Sequence, residues 1–465
     1  MAEQAAGQAQ GQQINLLKVL GPTHVWALGV GIVLVGEFMG WNYAVGKGGA
    51  YGALIACWVI GLLYTCVAMI DSEITSTVAA AGGQYAQAKH TIGPLMAFNV
   101  GLYLVLAYTM LEAGDVLVAG QLVQIGAGEL GASTAFEPFT ILSLVVLAWL
   151  NYRGVFMTLT VNFVITAAAF LTIIILFIGL EPWHPESIMK HSELLTGLPY
   201  GWLGVIAAFH FGIWYYLGIE GTCQAAEEVR SPGRSLPLGT ITGMITLAIA
   251  AGLTWYVCVG MLPWEYLGWD LTLAPLYDAA RVSGSNFLHV ALFVGTLFSA
   301  IASANGCIND AARAWFSMGR DRYLPQWFGA VHPRYRTPFR SILFLIPIAA
   351  VFALKVPLAQ VITFSILSGL LNYTFMPINM FKFRRMWPLG SIRRGFQHPF
   401  HPFPAILLMS LCIITYFAVY LGYGRQLLAM MAFYIVASLW FHFYRYRFVR
   451  RGDQFTMAWP RPQGY

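Results

Sequence analysis

The chain has 465 residues, of which 58% are hydrophobic and 10% are charged, and its formal net charge is +6. Because a soluble domain carries about 25% charged residues, this composition excludes an ordinary soluble protein. Apolar runs of about twenty residues, each long enough to cross the hydrocarbon of a bilayer, recur along nearly the whole chain. An outer-membrane barrel would show short alternating segments instead, so the sequence predicts an all-α polytopic membrane protein.

About twelve transmembrane helices are predicted, separated by proline-rich loops such as EPWHPE and RSPGRSLP. They fall near residues 24–46, 50–70, 94–125, 137–151, 156–180, 201–228, 237–262, 286–312, 339–355, 358–381, 403–422 and 426–446. The polar residues 1–20 predict a disordered tail, and residues 448–465 predict a second tail. The N-terminal segment lacks the basic start and short apolar run of a cleaved signal peptide.

The basic residues indicate the orientation, because cytoplasmic loops carry an excess of lysine and arginine. With the N-terminus inside, 21 of the 26 basic residues fall on the cytoplasmic side, including clusters at 313–340, 382–394 and 445–461. The other side receives Lys47, Lys190, Arg281, Lys355 and Arg425. We therefore expect a multi-pass protein of the plasma membrane with both termini in the cytoplasm, and no nucleic-acid partner.

Two of the predicted helices are interrupted near their middles. In the first, GVGIVLVGEFMGWN, Gly36 and Gly40 bracket Glu37, and a carboxylate at mid-bilayer costs roughly 2.5–3.5 kcal/mol even on lenient scales. The sixth is interrupted at FHFGIWYYLGIEG, from Phe209 to Gly221. Broken backbone at membrane depth is tolerated around a cavity, although glycines also permit close helix packing. Two broken helices five spans apart predict an inverted-repeat transporter with its site at the breaks.

Three further stretches carry a resemblance to a known family. IEGTCQAAEEVRSPGRSLPLGTI resembles the sixth-span signature of the amino acid–polyamine–organocation superfamily. AAAGGQYAQAKHTIGPLMAF resembles the family's entry into the third span, and NDAARAWFSMGRDRYLPQWFGAVHPRYRTP resembles its eighth span and the following loop. Within the superfamily, GWN in the first break and FGIWYYLGIEG in the sixth are most similar to ethanolamine permeases.

The resemblance implies a leucine-transporter-like fold with broken first and sixth helices. Its two inverted five-helix repeats would occupy residues 21–180 and 201–385, followed by two extra helices at 400–447. We expect alternating access, in which substrate enters from outside and binds at the two breaks. This sequence departs from its relatives at Glu37, where a small or neutral residue is common. A glutamate at that position predicts a cationic substrate without a carboxylate of its own.

Glu37 is the first candidate counter-charge for such a cation. It follows Gly36 and is flanked by Phe38 and Trp41, whose rings can form cation–π walls. The alternative is that Glu37 pairs internally with a basic residue or is protonated, but no lysine or arginine lies at mid-depth in a neighbouring predicted span.

The third helix carries a polar stripe, because spacings of four and three residues put Tyr108, Glu112 and Asp115 on one face. We expect this face to turn toward the bundle interior, with Tyr108 nearest the substrate and Asp115 toward the outer vestibule. Substrate contact, a proton site and a hydrogen-bonded packing seam are all open for it.

Aromatic and polar side chains also surround the sixth-helix break, at Phe209, His210, Trp214 and Glu220. Trp214 is the candidate to close over the substrate. A histidine titrates near neutral pH, but a lone one in a span, such as His210, is more often a hydrogen-bonded structural residue.

Gating and coupling have their own candidates. Glu227 is expected to form a cytoplasmic gate or scaffold ion pair with Arg230 or the region of Arg313. Ser299 and Ser303 are candidates to ligate sodium with carbonyls of the first break, although serine usually bonds back to its own helix. The fifth helix has no lysine of the kind some proton-coupled relatives use. Sodium, a carboxylate proton and facilitated exchange therefore stay open.

Enzyme motifs such as HExxH, GxSxG and paired aspartates are absent from the sequence, and no soluble domain is attached to transmit a receptor's signal. The sequence therefore predicts a secondary active uptake permease for a small organic amine, with ethanolamine-like compounds first. An amino acid, or a polyamine or guanidino compound, is the alternative substrate. We expect no cofactor beyond Na+ or H+ as coupling ion, no bound metal, a lipid bilayer as surroundings, and a monomer or weak homo-oligomer.

Overall fold

The computed structural model describes residues 16–180, 197–269 and 274–449. Hydrocarbon leaves backbone amides and carbonyls unsatisfied, so a chain of this composition folds into helices whose hydrogen bonds are internal. The described residues contain no β-strand beyond an isolated bridge between Leu20 and Val229.

The helices are α1 Pro22–Met39, α2 Trp41–Thr77, α3 Gln84–Thr91, α4 Pro94–Glu129, α5 Glu137–Arg153, α6 Val155–Gly179, α7 Gly201–Gly212, α8 Pro232–Met261, α9 Trp264–Trp269, α10 Pro275–Val282, α11 Asn286–Arg320, α12 Phe339–Lys355, α13 Leu358–Met386 and α14 Phe403–Trp440. Short 3₁₀ segments follow α7 at Ile213–Tyr215, Ile219–Cys223 and Ala226–Glu228, and others lie at Gln326–Gly329 and Tyr446–Phe448; Phe441–Arg445 is a π-helical turn. Pro22, Pro94 and Pro232 start α1, α4 and α8, where a missing N–H costs nothing.

The predicted number of spans is confirmed within the described residues. Nine continuous stretches are long and apolar enough to cross a membrane. The helices α5 and α12 have 17 residues each and add two shorter spans. Non-helical backbone at Tyr423 divides α14 into two, which brings the total to twelve.

Two other predictions about the chain's organisation stay predictions. Of the tails at residues 1–20 and 448–465, the structure describes only residues 16–20 and 448–449. The division of the spans into two repeats is likewise not decided by the helix bounds.

The surface of the bundle is apolar, as a lipid-facing surface must be. Large side chains on α5, α6 and α14 are more than half exposed, among them Leu142, Val164, Ile413 and Val436. A water-exposed surface of this kind would aggregate, so the fold is that of a polytopic helical membrane protein.

The first span is broken at Gly40 alone. The helix α1 runs to Met39 and α2 begins at Trp41, so Gly36 and Glu37 are helical and lie in the last turn of α1. The sequence pattern placed this interruption more broadly, within GVGIVLVGEFMGWN at residues 29–42. The rest of the first span leads into the second through Gly49, whose φ of 72° lies in the left-handed region that favours glycine.

The sixth span is broken over a longer stretch, as predicted. The helix α7 ends at Gly212, and the chain continues in 3₁₀ turns that are interrupted at Gly218. Gly218 has a φ of 116°, and a Cβ there would overlap the side chain of Ile32 in α1. Glycine is therefore required at this position both by the backbone and by the approach of the first span.

One end of the bundle, here named the basic end, gathers Lys89, Arg320, Arg384 and Arg394 with the loops beside them. Glu73 at the end of α2 accepts hydrogen bonds from Arg384 at 2.7 Å and from Arg394. These contacts bind α2, α13 and the loop after α13 to one another at the end where the topology prediction placed the positive charge.

Candidate functional site

The two helix breaks meet. A Cβ on Gly36 would overlap the backbone carbonyl of Trp214, so only glycine permits this approach. The Tyr215 hydroxyl donates a hydrogen bond to the carbonyl of Gly40 at 3.1 Å. This bond supports a carbonyl whose helical bond from Ala44 is long, at 3.4 Å.

The aromatic residues around the breaks fill the space between spans. Trp41 stacks on Tyr215 with ring centroids 4.2 Å apart, and its indole N–H donates to Thr254 of α8 at 2.9 Å. Trp214 packs against Gly36 and Gly40, and its indole nitrogen has no hydrogen-bond partner among the described residues. Trp214 therefore has a donor available for a ligand, whereas Trp41 has used its own. Phe38 and Phe209 are both buried.

Glu37 lies on the side of α1 that turns to α2 and the sixth span. It has no exposed surface, and neither carboxylate oxygen has a hydrogen-bond partner in the part of the chain that is described. Cys57 of α2 and Tyr215 and Tyr216 of the sixth span are its titratable neighbours. No basic side chain acts on it there, so internal pairing with lysine or arginine does not explain this glutamate.

The polar stripe of α4 faces the bundle interior, as predicted. Tyr108, Glu112 and Asp115 are at most 1% exposed. The Tyr108 hydroxyl and both Glu112 oxygens have no hydrogen-bond partner among the described residues. Glu112 and Asp115 are both neighbours of the Cys307 thiol of α11. This face of α4 therefore packs against α11.

Sequence reasoning missed Asp310, which joins this group from α11. Its charge acts on Tyr108 and Cys307, and its Oδ2 has no hydrogen-bond partner within the described residues. A Cβ on Gly221 would overlap that same oxygen, so Asp310 lies against the sixth-span break. A seven-residue spacing from Ser303 in the stretch SANGCIND puts both on one helix face and was the available signal.

Glu220 is held more firmly than the other carboxylates. It accepts a hydrogen bond from the Tyr373 hydroxyl at 2.5 Å and from the backbone N–H of Gly218 at 3.1 Å. Tyr64 of α2 donates in turn to Tyr373 at 3.0 Å. Glu220 therefore fixes the broken segment to α13 and α2, and its charge also reaches Tyr108.

His210 lies on a different side of the sixth span. Its Nε2 is 3.2 Å from the Thr363 hydroxyl, and its ring stacks on Tyr423 with centroids 4.6 Å apart. Together with Lys47 it lines a small cavity of about 80 Å³. The structure does not bring His210 to Glu112 or Asp115.

The two serines of α11 have different surroundings. Ser299 donates to the Thr296 carbonyl of its own helix at 2.8 Å. The Ser303 Oγ lies 2.6 Å from the Ile32 carbonyl of α1 and 2.5 Å from Asp115 Oδ2. Of the two, only Ser303 makes the expected approach to a carbonyl of the first span.

The acidic residues after the sixth span form ion pairs at the basic end. Glu228 pairs with Arg313, and both are at most 2% exposed. Glu227 pairs with Arg320 at 3.0 Å and is partly exposed. The sequence predicted that Glu227 pairs with Arg230 or the region of Arg313. In the structure its partner is Arg320, about two helix turns beyond Arg313 on α11.

Comparisons with known proteins agree with this architecture. The family model described as amino acid permease matches residues 24–451. An uncharacterized transporter of Rhizobium meliloti is 66% identical, with all of both chains covered. The methylthioribose transporter of Bacillus subtilis is 26% identical over 87% of this chain and 89% of its own. The branched-chain amino acid permease BcaP of the same organism is 23% identical over 86% and 87%.

These relatives are transporters and not enzymes. The ethanolamine permeases suggested by the break sequences are not among the relatives named here, so the similarity fixes the family and leaves the substrate to be argued from the site. The chain belongs to the amino acid permease family, within the amino acid–polyamine–organocation superfamily, and is a multi-pass membrane transporter.

Proposed function

We propose that this chain is an uptake permease for a small organic cation, with ethanolamine-like amines first. The observation that carries the proposal is the surplus of buried acidic groups around the two breaks. Both carboxylate oxygens of Glu37 and of Glu112, and Oδ2 of Asp310, have no hydrogen-bond partner among the described residues. A cation with several N–H donors is the ligand class that matches such oxygens.

Glu37 and Glu112 form no ion pair with a lysine or arginine in the described part of the chain, whereas Arg313 lies close enough to Asp310 to interact with it. In the described ranges, Lys89 and Arg313 are the lysine and arginine that are buried. Lys89 pairs with Asp321 at 2.7 Å, and Arg313 pairs with Glu228. An unpaired carboxylate in a low-dielectric interior is strongly unfavourable unless it is protonated or meets a cation, so a cationic ligand is favoured there.

Two carboxylates compete for the role of principal counter-charge. Glu37 lies beside the first break on the side of α2, whereas Glu112 lies between α4 and α11 with Tyr108 one turn away. The other proposed contacts are Gly36, Phe38, Trp41, Tyr108, Phe209, His210, Trp214 and Glu220. Trp214, with its free indole N–H, is the proposed lid.

An amino acid is the second candidate substrate. The family as a whole and the permease BcaP favour it, since both carry amino acid transport in their names. A zwitterion would bring its own carboxylate next to the buried acidic groups, and that repulsion is large at low dielectric. Polyamines and guanidino compounds avoid this repulsion but need a longer cavity.

Transport is proposed to proceed by alternating access across the plasma membrane, with both termini in the cytoplasm. The ion pairs of Glu227 with Arg320 and of Glu228 with Arg313 then close the cytoplasmic exit and must separate to release substrate. Arg313 is thus a gate residue in this proposal.

The first experiment is a binding panel on the purified protein, read as the shift of its unfolding temperature. The panel contains ethanolamine, related amines, guanidino compounds and zwitterionic amino acids. A ligand of the native state stabilises by mass action, so weak substrates register at high concentration. Uptake by counterflow into sealed vesicles then follows for the compounds that shift the temperature.

Matched variants Glu37→Gln and Glu112→Gln identify the counter-charge, because each removes one buried charge at nearly constant volume. Cationic amines that stabilise the wild type but not one of the two variants assign the role to that residue. Amino acids that stabilise wild type and both variants equally would overturn the cation proposal in favour of the second candidate. No counterflow of any panel compound would contradict a permease for this class of small molecule.

A further inference from the structure

One hydroxyl group joins three membrane helices. The Ser303 Oγ of α11 lies 2.6 Å from the backbone carbonyl of Ile32 in α1 and 2.5 Å from Asp115 Oδ2 in α4. Both are short hydrogen-bond distances for a pair of oxygen atoms. All three residues are fully buried.

The number of hydrogens shared by these three oxygen atoms decides whether Asp115 can be ionised. A serine hydroxyl donates one hydrogen, while a carbonyl and an ionised carboxylate can only accept. One hydrogen cannot serve both contacts, so one oxygen pair would be in repulsion if Asp115 were ionised. We propose that Asp115 is a proton-binding site: its carboxylic acid donates to Ser303, and the Ser303 hydroxyl donates to the Ile32 carbonyl.

The surroundings of Asp115 offer no cation in place of that proton. Its other oxygen, Oδ1, and both oxygens of Glu112 have no hydrogen-bond partner among the described residues. The titratable groups that face this region are Glu112 on α4 itself and Cys307 and Asp310 on α11. No lysine, arginine or histidine acts on Asp115 in the described part of the chain.

Two further neighbours of α4 present uncharged side chains near this level. Beside Gly114, α13 presents the apolar side chains of Leu358 and Ile362, and beside Gly120, α5 presents the hydroxyl of Thr140. The contact from α1 is the neutral carbonyl of Ile32.

The distances favour a proton over a metal ion. A calcium-sized cation holds each ligand oxygen about 2.3–2.6 Å from itself, so two oxygens on one ion are normally farther apart than the pair between Ser303 and Asp115. The carbonyl of the first span and the serine of the eighth, the ligands expected for sodium, are instead joined to each other.

This inference rests on the proposed function, because a proton at Asp115 would be the coupling ion of the permease. With the proton bound, α1 is tied to α4 and α11. Release leaves a carboxylate that needs water or a cation, which requires the junction to open. The step is a simple acid–base equilibrium in which the carboxylate and a solvent proton form the acid.

The experiment combines transport with a readout that needs no substrate. Wild type, Asp115→Asn and Ser303→Ala are reconstituted into vesicles containing a pH-sensitive dye, with Thr296→Val as the matched control. Thr296 is buried on the same helix, and its hydroxyl donates to the Leu292 carbonyl one turn earlier at 2.7 Å. Two transport signals are recorded with ethanolamine, or with whichever panel compound gave the largest thermal shift: counterflow, and acidification of the lumen. Infrared spectra of the same proteins report the carbonyl stretch of protonated carboxyl groups.

We expect the wild type and Thr296→Val to show counterflow, acidification and the full infrared band. An asparagine at position 115 still donates to Ser303, so Asp115→Asn should keep counterflow but lose acidification and part of the band. In Ser303→Ala acidification should also be lost, and this variant stands in if Asp115→Asn does not fold. Acidification by Asp115→Asn equal to wild type, or uptake driven by sodium without proton movement, would overturn the inference. Should the wild type transport nothing, the proposed function fails, and an infrared band unchanged in Asp115→Asn would separately overturn the proton site.

Discussion

Buried acidic side chains are paired at the basic end of the bundle, whereas at its centre, around the two helix breaks, some of them have no partner among the described residues. At the basic end, fully buried Glu73 accepts bonds from Arg384, from Arg394 and, at 3.0 Å, from the backbone N–H of His398. At the centre, Glu37 and Glu112 are equally buried and have no hydrogen-bond partner among the described residues. Removing one member of a buried pair is strongly destabilising, whereas an unpaired buried acid adds nothing to the fold. The first arrangement holds helices in place, and the second leaves groups free to bind.

The largest effect on stability is expected when Glu73 is neutralised. The change Glu73→Gln leaves two arginines facing an amide, and we expect a loss of about 3–5 kcal/mol of unfolding free energy. Thermal or denaturant unfolding of the purified protein measures it. The control is Glu227→Gln, whose pair with Arg320 is partly exposed and should contribute below about 1 kcal/mol. Equal, small effects of the two changes would show that ion pairs do not hold the basic end.

At the centre, neutralising an acidic residue should weaken ligand binding and leave the stability of the fold intact. For Glu112→Gln we expect an unchanged or higher unfolding temperature, because the variant removes a buried charge that has no partner. Affinity for a cationic ligand should fall by about 2–5 kcal/mol, as when one partner of a buried charge pair is lost. Titration of the thermal shift with the best panel amine measures this loss. If the variant is destabilised and its ligand affinity is unaltered, Glu112 has a structural role like that of Glu73 and not a binding role.

The same contrast explains what the sequence could reveal. The twelve spans followed from apolar runs and proline-rich loops, because burial in lipid imposes length and composition directly. The inward face of Tyr108, Glu112 and Asp115 followed from helical spacing. The position of the first break did not, because which of Gly36 and Gly40 leaves the helix depends on how Trp214 and Tyr215 pack against them.

The partners of the polar groups were harder to predict, since they come from other spans. The approach of Ser303 to a first-span carbonyl was anticipated for sodium, but its contact with Asp115 was not. Asp310 and Tyr373 were missed, because the face that each turns inward depends on the packing of α11 and α13. Glu227 was expected to pair with Arg230 or the region of Arg313, and its partner is Arg320, seven residues beyond Arg313 on α11.

The third prediction tests the close contact between the two breaks by adding a methyl group at Gly36. Alanine favours helices over glycine by about 1 kcal/mol, yet at Gly36 its Cβ would overlap the Trp214 carbonyl. We expect Gly36→Ala to lower the unfolding free energy by about 1–3 kcal/mol, the usual range for overpacking. The control, Gly128→Ala on α4, has open space around it and should be neutral or stabilising. Stabilisation by both alanines would mean that the breaks are not packed together in solution.

The smallest expected effect concerns Trp41. Like the side chains of the basic end, and unlike Trp214, it has a hydrogen-bond partner for its polar group. Trp41→Phe keeps a ring over Tyr215 but loses the N–H that donates to Thr254 at 2.9 Å. A buried hydrogen bond contributes about 0.5–1.5 kcal/mol, and the double-mutant cycle with Thr254→Val isolates that contribution from the loss of ring area. We expect a measurable coupling in unfolding free energy and little change in ligand affinity, because the indole N–H is already engaged. A large loss of affinity without coupling to Thr254 would instead show that the indole N–H of Trp41, and not only its ring, is needed to bind the ligand.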